Sequence, residues 1–380
     1  MPEISIWEKE TFYAAQDVII VGSGFTGLWS ALHLKFLHPD YKITILERGP
    51  IPTGASTRNA GFSCFGSPSE LIADAAAIGE ANMWRLVEMR YKGLLEIRNF
   101  FSNDEIDYDA NGGYECYTTN SGSWEECSTK IDWLNSELQK ITGLAQVFTI
   151  SDHKLTDFGF AGFRHMIENK PEAGLHPGKL VQALLCKVQT LGVQVLTGVQ
   201  VLSYNEFTDG ITVDTNSVTF SARQLLLCTN AFTKHLVPTL DIVPNRGQVL
   251  LTAPIENLRF KGTFHFDHGY YYFRNLGNRI LIGGARNTGF NDENTEVMES
   301  TQAIQTELEN FIRQHLLPTT EFSVTDRWSG IMAMGKEKSP IVKALSEHVF
   351  CCVRMSGMGV ALAPIVAKQV AQLMSEPITA

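Results

Sequence analysis

Three glycines at the end of a short apolar run could bind a diphosphate. The segment DVIIVGSGFTG (17–27) places Gly22, Gly24 and Gly27 in a G-x-G-x-x-G spacing. The first glycine permits a tight turn, the second lets the backbone approach phosphate, and the third lets the following helix pack closely on the strand. Free N–H groups and the dipole at the start of that helix would stabilise the diphosphate.

The elements around this turn favour a dinucleotide site. Residues 17–21 and 42–47 are predicted buried strands, and 26–37 is a predicted helix that stops before Pro39. Glu47, at the end of the second strand, could accept hydrogen bonds from ribose hydroxyls and disfavours a 2′-phosphate. A glycine-rich turn without a ligand would explain the glycines but not Glu47.

A second segment could bind the same cofactor at its other end. VRMSGMGVALAPIVAKQVAQLM (353–374) is predicted to form a strand, a Gly-Met-Gly turn and an apolar helix. The amides of Met358 and Gly359 would add a second positive helix end. A reduced flavin carries negative charge near N1 and C2=O, so this feature favours FAD over a nicotinamide. No second G-x-G-x-x-G follows a later strand, so an organic substrate is expected to reduce the flavin.

Composition narrows the classes of partner. The 380 residues fit two domains, and 44% hydrophobic with 19% charged residues is ordinary for a globular protein. The formal charge of −10 argues against nucleic acid or anionic membrane as a partner. No apolar run approaches the roughly 18 residues of a membrane span, and the start of the sequence is unlike a signal peptide. A cytoplasmic location is expected.

The cysteines predict neither a disulfide framework nor a metal site. There are seven, an odd number, without any C-x-x-C spacing. Cys228, Cys351 and Cys352 lie in apolar runs and are interpreted as small buried thiols.

The remaining elements predict a discontinuous α/β (α+β) fold. Amphipathic helices fill 69–140, another helix follows Pro177, and strands are expected at 193–196, 199–204, 211–215 and 224–229. An aromatic-rich alternating stretch at 247–285 suits an antiparallel sheet exposed on one face, and a helix is expected at 301–315. We therefore predict a Rossmann-like FAD-binding domain from 1–80, 165–245 and 326–380. A substrate domain on an antiparallel sheet would comprise 81–164 and 246–325.

Taken together, these motifs resemble the D-amino-acid oxidase, glycine oxidase and sarcosine oxidase family of FAD-dependent amine oxidoreductases, over essentially the whole chain. VGSGFTG with Glu47 and Arg48 is similar to the half that binds adenosine and diphosphate, and GASTRNAGF (54–62) to the segment passing the flavin ring. Residues 175–201, 225–232 and 242–252 are similar to the family's middle helix and strand, strand-end turn and crossing between domains. Trp7, GFTGL and RNAG resemble a branch that includes gamma-glutamylputrescine oxidoreductase.

The resemblance implies non-covalent FAD, since 328–342 contains no cysteine or histidine for attachment. The cofactor-binding residues it implies are Gly22, Gly24, Phe25, Thr26, Gly27, Glu47, Arg48, Ser56, Thr57, Arg58, Asn59, Ala60, Gly61, Val201, Thr229, Asn230, Gly330, Gly357, Met358, Gly359 and Val360.

The reaction implied by the resemblance is oxidation of the C–N bond of a primary or secondary amine. A hydride would pass to flavin N5, the imine would hydrolyse, and dioxygen or another electron acceptor would reoxidise the flavin. The expected partner is thus a small-molecule amine, with no nucleic acid and no membrane span. An NAD-dependent dehydrogenase and a flavin-binding protein without turnover are the alternatives from other classes.

One departure from the family bears on the substrate. Its amino-acid oxidases typically carry an arginine in a G-x-R-P-type stretch, which clamps the substrate carboxylate. In WSGIMAMGKEKSP (328–340), Met332 occupies that position. Because methionine cannot bind a carboxylate, an amine with a remote or absent carboxylate is favoured. The alternative is a D-amino-acid, glycine or sarcosine oxidase or dehydrogenase in which Arg274, Arg246 or Arg327 replaces the clamp.

The segment DHGYYYFRN (267–275) is the predicted substrate-facing strand. His268, Tyr270, Tyr272 and Arg274 would share one face of a period-2 strand and, with Met332, are the predicted catalytic residues. A half-buried sheet edge would explain the same pattern. His265 and His268 could supply positive charge for oxygen activation, or could be surface or hydrogen-bonded histidines. Lys336 and Lys338 are interpreted as solvated loop lysines.

Overall fold

The computed structural model describes residues 3–119 and 121–376, which form two compact units. The first unit contains the residues up to Thr57, Gly178–Pro244 and the residues from Met332, and the second contains Arg58–Pro177 and Asn245–Ile331. Both units are discontinuous in sequence. The predicted functional domains change near 80, 165, 245 and 326, of which the change near 245 coincides with a boundary between the two units, and the functional domain boundaries stay a prediction.

The helices and strands of the described residues are numbered in chain order. The helices are α1 (Ile6–Glu10), α2 (Phe25–Leu37), α3 (Pro68–Ile78), α4 (Glu80–Phe100), α5 (Asn103–Ile106), α6 (Ser123–Thr142), α7 (Lys154–Phe158), α8 (Pro177–Thr190), α9 (Gln302–Phe311) and α10 (Gly359–Ser375). The strands are β1 (Gln16–Val21), β2 (Ile43–Glu47), β3 (Phe62–Ser63), β4 (Gly113–Thr118), β5 (Phe148–Ile150), β6 (Phe163–Asn169), β7 (Ala173–Gly174), β8 (Gln194–Thr197), β9 (Val201–Phe207), β10 (Gly210–Thr215), β11 (Thr219–Leu227), β12 (Val243–Thr252), β13 (Thr263–Phe266), β14 (Tyr271–Leu276), β15 (Arg279–Gly284), β16 (Val324–Met334), β17 (Ile341–Ala344) and β18 (Val349–Val353).

The first unit is built on a mostly parallel sheet in the order β17-β18-β11-β1-β2-β8. β1 pairs in parallel with β2 and β11, and β11 pairs in parallel with β18. The carboxyl ends of these strands therefore meet at one edge, where doubly wound sheets bind ligands. The predicted Rossmann-like sheet is confirmed, and the predicted elements at 17–21, 26–37 and 42–47 agree with β1, α2 and β2 to within one residue.

Helices α2 and α10 pack against each other in this unit. Most of α2 is buried because it is apolar on nearly all sides, from Phe25 to Leu34. His33 Nε2 lies 3.1 Å from the carbonyl oxygen of Pro364, a proline inside α10. Burial lowers the pKa of His33 to about 4, so this imidazole is neutral near pH 7.

The second unit is built on a sheet in the order β16-β12-β15-β14-β13-β4-β6-β5. β12, β15, β14 and β13 are antiparallel neighbours, which confirms the predicted antiparallel pairing of 247–285. One face carries an aromatic core in which the rings of Phe264 and Phe273 stack at 4.7 Å between centroids. The predicted helices of 69–140 are confirmed as α3, α4 and α6.

The predicted helix at 301–315 is confirmed as α9, which continues after Phe311 as a π-helical turn, Ile312–Leu316. Two details of the sequence prediction are wrong. The sheet is not exposed on one face, because Ala60, Val249, Leu251 and Leu281 form a second buried cluster. β14 begins only at Tyr271, because 267–270 form a turn with Asp267 and His268 at positive φ. In the described part of the chain, no helix has the length and apolarity needed to cross a membrane.

Candidate active site

The predicted phosphate turn follows β1 directly and requires its glycines. Gly22 has a φ of +100°, and a Cβ there would lie 2.9 Å from the carbonyl oxygen of Cys228. A Cβ on Gly27 would overlap the carbonyl oxygen of Gly22, so the helix can approach the strand only without a side chain here. The turn thus has the strand–turn–helix geometry of dinucleotide-binding folds.

The amino end of α2 is open to an anion. Its N-cap residue, Gly24, makes no side-chain capping bond, and the first turn, with Phe25 and Thr26, holds no acidic residue. The Phe25 N–H donates to Ser56 Oγ at 2.8 Å, which brings the predicted 54–57 segment beside the turn. No carboxylate from the helix's own first turn therefore compensates its dipole. These features fit a diphosphate.

Glu47 is fixed beside this turn. Its Oε2 accepts hydrogen bonds from the Ser23 N–H at 3.0 Å and the Ser23 hydroxyl at 2.8 Å, and its Oε1 accepts one from the Gly49 N–H at 2.9 Å. The guanidinium of Arg48 lies 3.9 Å from the centre of the Phe232 ring. Contacts of Glu47 and Arg48 with a nucleoside stay a prediction.

The other predicted cofactor residues of the first unit lie near ends of the same strands. Thr229 and Asn230 follow β11, and Asn230 has a φ of +49°. Val201 is the first residue of β9, and Thr57 donates through its hydroxyl to the carbonyl oxygen of Pro52 at 2.6 Å. Their roles toward FAD stay predictions.

The segment after β18 reaches the edge of the sheet that also carries the phosphate turn. α10 begins at Gly359 and Val360, its N-cap Met358 makes no side-chain capping bond, and its first turn holds no acid. A Cβ on Gly357, at φ +86°, would lie 3.8 Å from the sulfur of Met332. The structure therefore brings Met332 next to the Gly-Met-Gly turn, within the first unit.

Arg354 holds this segment in place and was missed from the sequence. It is buried at a φ of +63°, and Ser356 also has a positive φ. The Arg354 guanidinium donates to Asp241 Oδ2 at 2.7 Å and to the carbonyl oxygen of Ser339 at 2.9 Å. A buried arginine that satisfies distant backbone stabilises a strained turn. An arginine inside an otherwise apolar run was the only available signal.

The predicted residues 58–61 and 330 lie in the second unit. Arg58 Nη1 donates to the carbonyl oxygen of Ser329 at 2.9 Å, and Trp328 Nε1 donates to the carbonyl oxygen of Arg58 at 2.9 Å. A Cβ on Gly330 would lie 2.9 Å from Arg58 Cβ. This segment therefore packs on β16.

The next residues of the same segment are held by short local contacts. Asn59 Oδ1 accepts a hydrogen bond from the Gly61 N–H at 2.9 Å, and Ala60 is buried in the second cluster. The Leu175 N–H donates to the carbonyl oxygen of Gly61 at 2.8 Å.

The three arginines proposed as alternative carboxylate clamps all have protein partners. Arg246 makes a bidentate pair with Glu293, with distances of 2.9 and 2.8 Å. Arg327 pairs with Glu309 and with the amide oxygen of Gln305. Arg274 is buried and donates to the carbonyl oxygens of Gly61 at 2.7 Å, Leu175 at 3.0 Å and Asn275 at 3.1 Å. These contacts favour structural roles.

The structure does not contain the single strand face that was predicted to carry His268, Tyr270, Tyr272 and Arg274. Tyr272 and Arg274 lie on β14, whereas His268 is exposed in the preceding turn. Tyr270 packs edge-on against Phe290, with 5.6 Å between ring centroids. The alternation of residue types in the sequence continues from the turn at 267–270 into β14, so it did not indicate where the strand begins. Tyr272 packs against Phe62, and burial raises the pKa of its phenol to about 12.

A buried polar cluster in the second unit was not predicted from the sequence, although one of its members, His265, was named as a possible source of positive charge. Cys64, Glu172 and His265 each place one polar atom within 4.8 Å of the others. Burial lowers the pKa of His265, but the nearby Cys64 thiol and the carboxylates of Glu172 and Glu70 outweigh it and raise the pKa well above its usual value. The three residues lie far apart in the sequence, so no local spacing signals them. His265 is thus buried rather than a surface histidine.

Comparison with known proteins agrees with this fold. The family model described as FAD dependent oxidoreductase, DAO, matches residues 17–373. A probable oxidoreductase OrdL of Rhizobium meliloti is 22% identical, covering 94% of this chain and 82% of that protein. Gamma-glutamylputrescine oxidoreductase of Escherichia coli is 24% identical, covering 94% and 83%. The crystal structure of L-proline dehydrogenase from P. horikoshii superposes with a TM-score of 0.75 at 16% identity, covering 95% and 93%.

A parallel sheet with a glycine turn and an open helix start at its edge is the geometry of a dinucleotide-binding fold. The chain belongs to the DAO family of FAD-dependent oxidoreductases, as the sequence resemblance predicts. Its cofactor is FAD, and the alternative of an NAD-dependent dehydrogenase is therefore wrong. Relatives act on amine-like or amino-acid-like substrates according to their names.

Proposed function

We propose that the protein oxidises the C–N bond of a primary or secondary amine whose carboxylate is remote or absent. The observation that carries this proposal is Met332 at the position where the family's amino-acid oxidases hold the clamping arginine. The engagement of Arg246, Arg274 and Arg327 by other partners supports it further, because each of the three side chains would have to leave existing protein contacts to clamp a carboxylate. The name of one relative, gamma-glutamylputrescine oxidoreductase, is that of an enzyme for such an amine.

Bound FAD supplies the two-electron acceptor for removal of a hydride from the carbon next to nitrogen, after which water hydrolyses the imine. The chain's own contribution is binding and orientation. The open starts of α2 and α10 would stabilise the negative charge of the diphosphate and of the reduced ring. Tyr272, whose pKa is raised to about 12 by burial, stays a neutral phenol near pH 7 and can donate one hydrogen bond. Dioxygen or another acceptor would then reoxidise the flavin.

The substrate class is tested by anaerobic titration of the purified flavoprotein, with bleaching of the flavin as the readout. We expect polyamines or gamma-glutamyl amines to reduce it faster than D-alanine, glycine, sarcosine or proline. Reduction by the amino acids alone would contradict the proposal and favour the alternative of an amino-acid or sarcosine oxidase.

The role of Met332 is tested by two matched variants. Met332→Arg restores a guanidinium and should slow reduction by the amine by about tenfold or more, the factor for about 1.4 kcal/mol, because like charge repels the amine. It should also improve binding of small amino acids. Met332→Leu keeps the volume and the apolar character, so its rate should stay close to wild type. Equal rates for both variants would show that Met332 does not face the substrate.

A further inference from the structure

The buried cluster of Cys64, Glu172 and His265 has the composition of a transition-metal site. A cysteine thiolate, an imidazole nitrogen and a carboxylate oxygen are the three ligand types that Zn²⁺ uses in proteins. The three side chains are buried, and one polar atom of each lies within 4.8 Å of the other two. His265 Nε2 and Glu172 Oε2 are 3.4 Å apart, which is the separation of two ligands around one small ion rather than a hydrogen bond of good geometry.

The groups behind these ligands orient them toward a common point. His265 Nδ1 lies 3.6 Å from Glu70 Oε2, and Glu70 is itself held by the N–H and hydroxyl of Ser67. Glu172 Oε1 accepts the N–H groups of Phe65 and Gly66, which leaves Oε2 for another partner. Metal-bound histidines and carboxylates are usually supported in this way, with the outer atom of each ligand bonded to a second group.

One atom of the cluster is unsatisfied. Among the residues that the structure describes, His265 Nε2 is buried and has no hydrogen-bond partner of acceptable geometry, on a side chain only 5% exposed. An atom of this kind destabilises the folded protein when it is left unpaired in the interior. His265 Nε2 lies 3.4 Å from Glu172 Oε2, and a cation bound by both atoms would satisfy it.

We propose that Cys64, Glu172 and His265 bind a divalent transition-metal ion, Zn²⁺ by ligand type, with a fourth position for water. The metal–sulfur and metal–nitrogen bonds form as the Cys64 thiol and the His265 imidazolium each release one proton to solvent, and thiolate plus carboxylate then balance the ion's two charges. The ion ties together the segment after β3, the turn between β6 and β7, and β13, all within the second unit. Its role is to stabilise that unit, independently of the proposed amine oxidation.

The test is the metal content of tag-free, FAD-loaded protein after equilibration with Zn²⁺ and removal of free ion. We expect about one Zn²⁺ per chain in the wild type and less than about one-tenth of that in Cys64→Ala and His265→Asn, as for a site losing a ligand. Cys127→Ala removes another buried cysteine of the same unit outside the cluster, and should keep the full metal content.

X-ray absorption spectroscopy of the wild type identifies the zinc ligands directly, so this test does not depend on whether the variants fold. One sulfur at about 2.3 Å with nitrogen or oxygen at about 2.0 Å from zinc is the expected result. The proposal is overturned if the wild type binds no more Zn²⁺ than Cys64→Ala. It is also overturned if the bound zinc has no sulfur ligand, since the ion would then not be bound by Cys64. Neither readout involves turnover, so a failure here leaves the proposed amine oxidation untouched.

Discussion

Arg274 was predicted from the sequence to contact the substrate, but in the structure its guanidinium donates hydrogen bonds to backbone carbonyl groups of the protein itself. Its buried guanidinium donates to three backbone carbonyl oxygens, two of which, those of Gly61 and Leu175, belong to a different part of the second unit. The side chain therefore holds the segment of Gly61 against β14. The sequence shows that a predicted strand contains an arginine, but it does not show whether backbone carbonyl groups bind that arginine in the folded protein.

Replacing Arg274 with methionine should destabilise the protein strongly. Arg274→Met removes the guanidinium donors from the carbonyls of Gly61, Leu175 and Asn275, and leaves the Gly61 carbonyl with only the Leu175 N–H, so the free energy of unfolding should fall by about 3 kcal/mol in urea denaturation. Arg313→Met removes an exposed pair with Glu309 and should cost less than about 1 kcal/mol. A stable Arg274→Met protein that has lost amine turnover would instead support a role in substrate binding.

His33 should make the stability of the protein depend on pH. Its folded pKa is about 4, below the value of 6.5 for a free histidine, because burial disfavours the charged form. Its contribution is therefore fully present above about pH 6.5 and is lost as the pH falls toward 4. Between about pH 7.5 and pH 5 the wild type should lose about 2 kcal/mol of unfolding free energy from this group alone.

The matched variant for this prediction is His33→Gln, which can still donate to the Pro364 carbonyl but does not titrate. In urea denaturation its stability should fall less than that of the wild type over the same pH interval. Parallel curves for the two proteins would show that the pKa of His33 is not depressed in the folded state.

At the scale of elements, the glycine turn, β1, α2 and β2 could be predicted because each is specified locally. Apolar runs, fixed glycine spacing and Pro39 define these elements within about thirty residues. The turn at 267–270 could not be predicted in this way, because alternation of aromatic and polar residues continues through it. Contacts over long separations, such as Arg354 with Asp241 or His265 with Glu172, leave no periodic signal at all.

Gly27 provides a direct test of the close packing between β1 and α2 at the predicted phosphate turn. A Cβ on Gly27 would overlap the Gly22 carbonyl, so Gly27→Ala should push α2 away from β1 and weaken FAD binding by about a hundredfold, or about 2.7 kcal/mol. Gly122→Ala is the control, because nothing lies within 4 Å of a Cβ there. Fluorescence titration of apoprotein with FAD measures both. Unchanged affinity in Gly27→Ala would contradict the proposed phosphate site.

At the scale of the whole molecule, each compact unit combines segments that are distant in sequence. The sequence predicted this interleaving from motifs similar in order to a known family, whereas the boundary positions depend on packing. The 58–66 segment illustrates the difference: it continues the cofactor motif in sequence, but it packs on β16 through Arg58 and Trp328 and so falls in the second unit.

Removing FAD should lower the stability of the protein. A ligand that binds only the folded state adds about 2.7 kcal/mol when its free concentration is a hundredfold above its dissociation constant. The melting temperature of the apoprotein should therefore rise with added FAD, and less so for Gly27→Ala. A melting temperature independent of FAD would mean that the cofactor does not bind the folded chain.

The strand order of the first unit has a consequence for biosynthesis. β1, at residues 16–21, and β11 are synthesised long before β18, at residues 349–353, which pairs with β11 in the same sheet and precedes α10. At about 5–20 residues per second, a ribosome needs on the order of tens of seconds to make the intervening chain. The nascent protein must therefore keep its first parallel strands without their later neighbours, and the predicted contacts of residues 357–360 with FAD can form only after the distal segment has emerged.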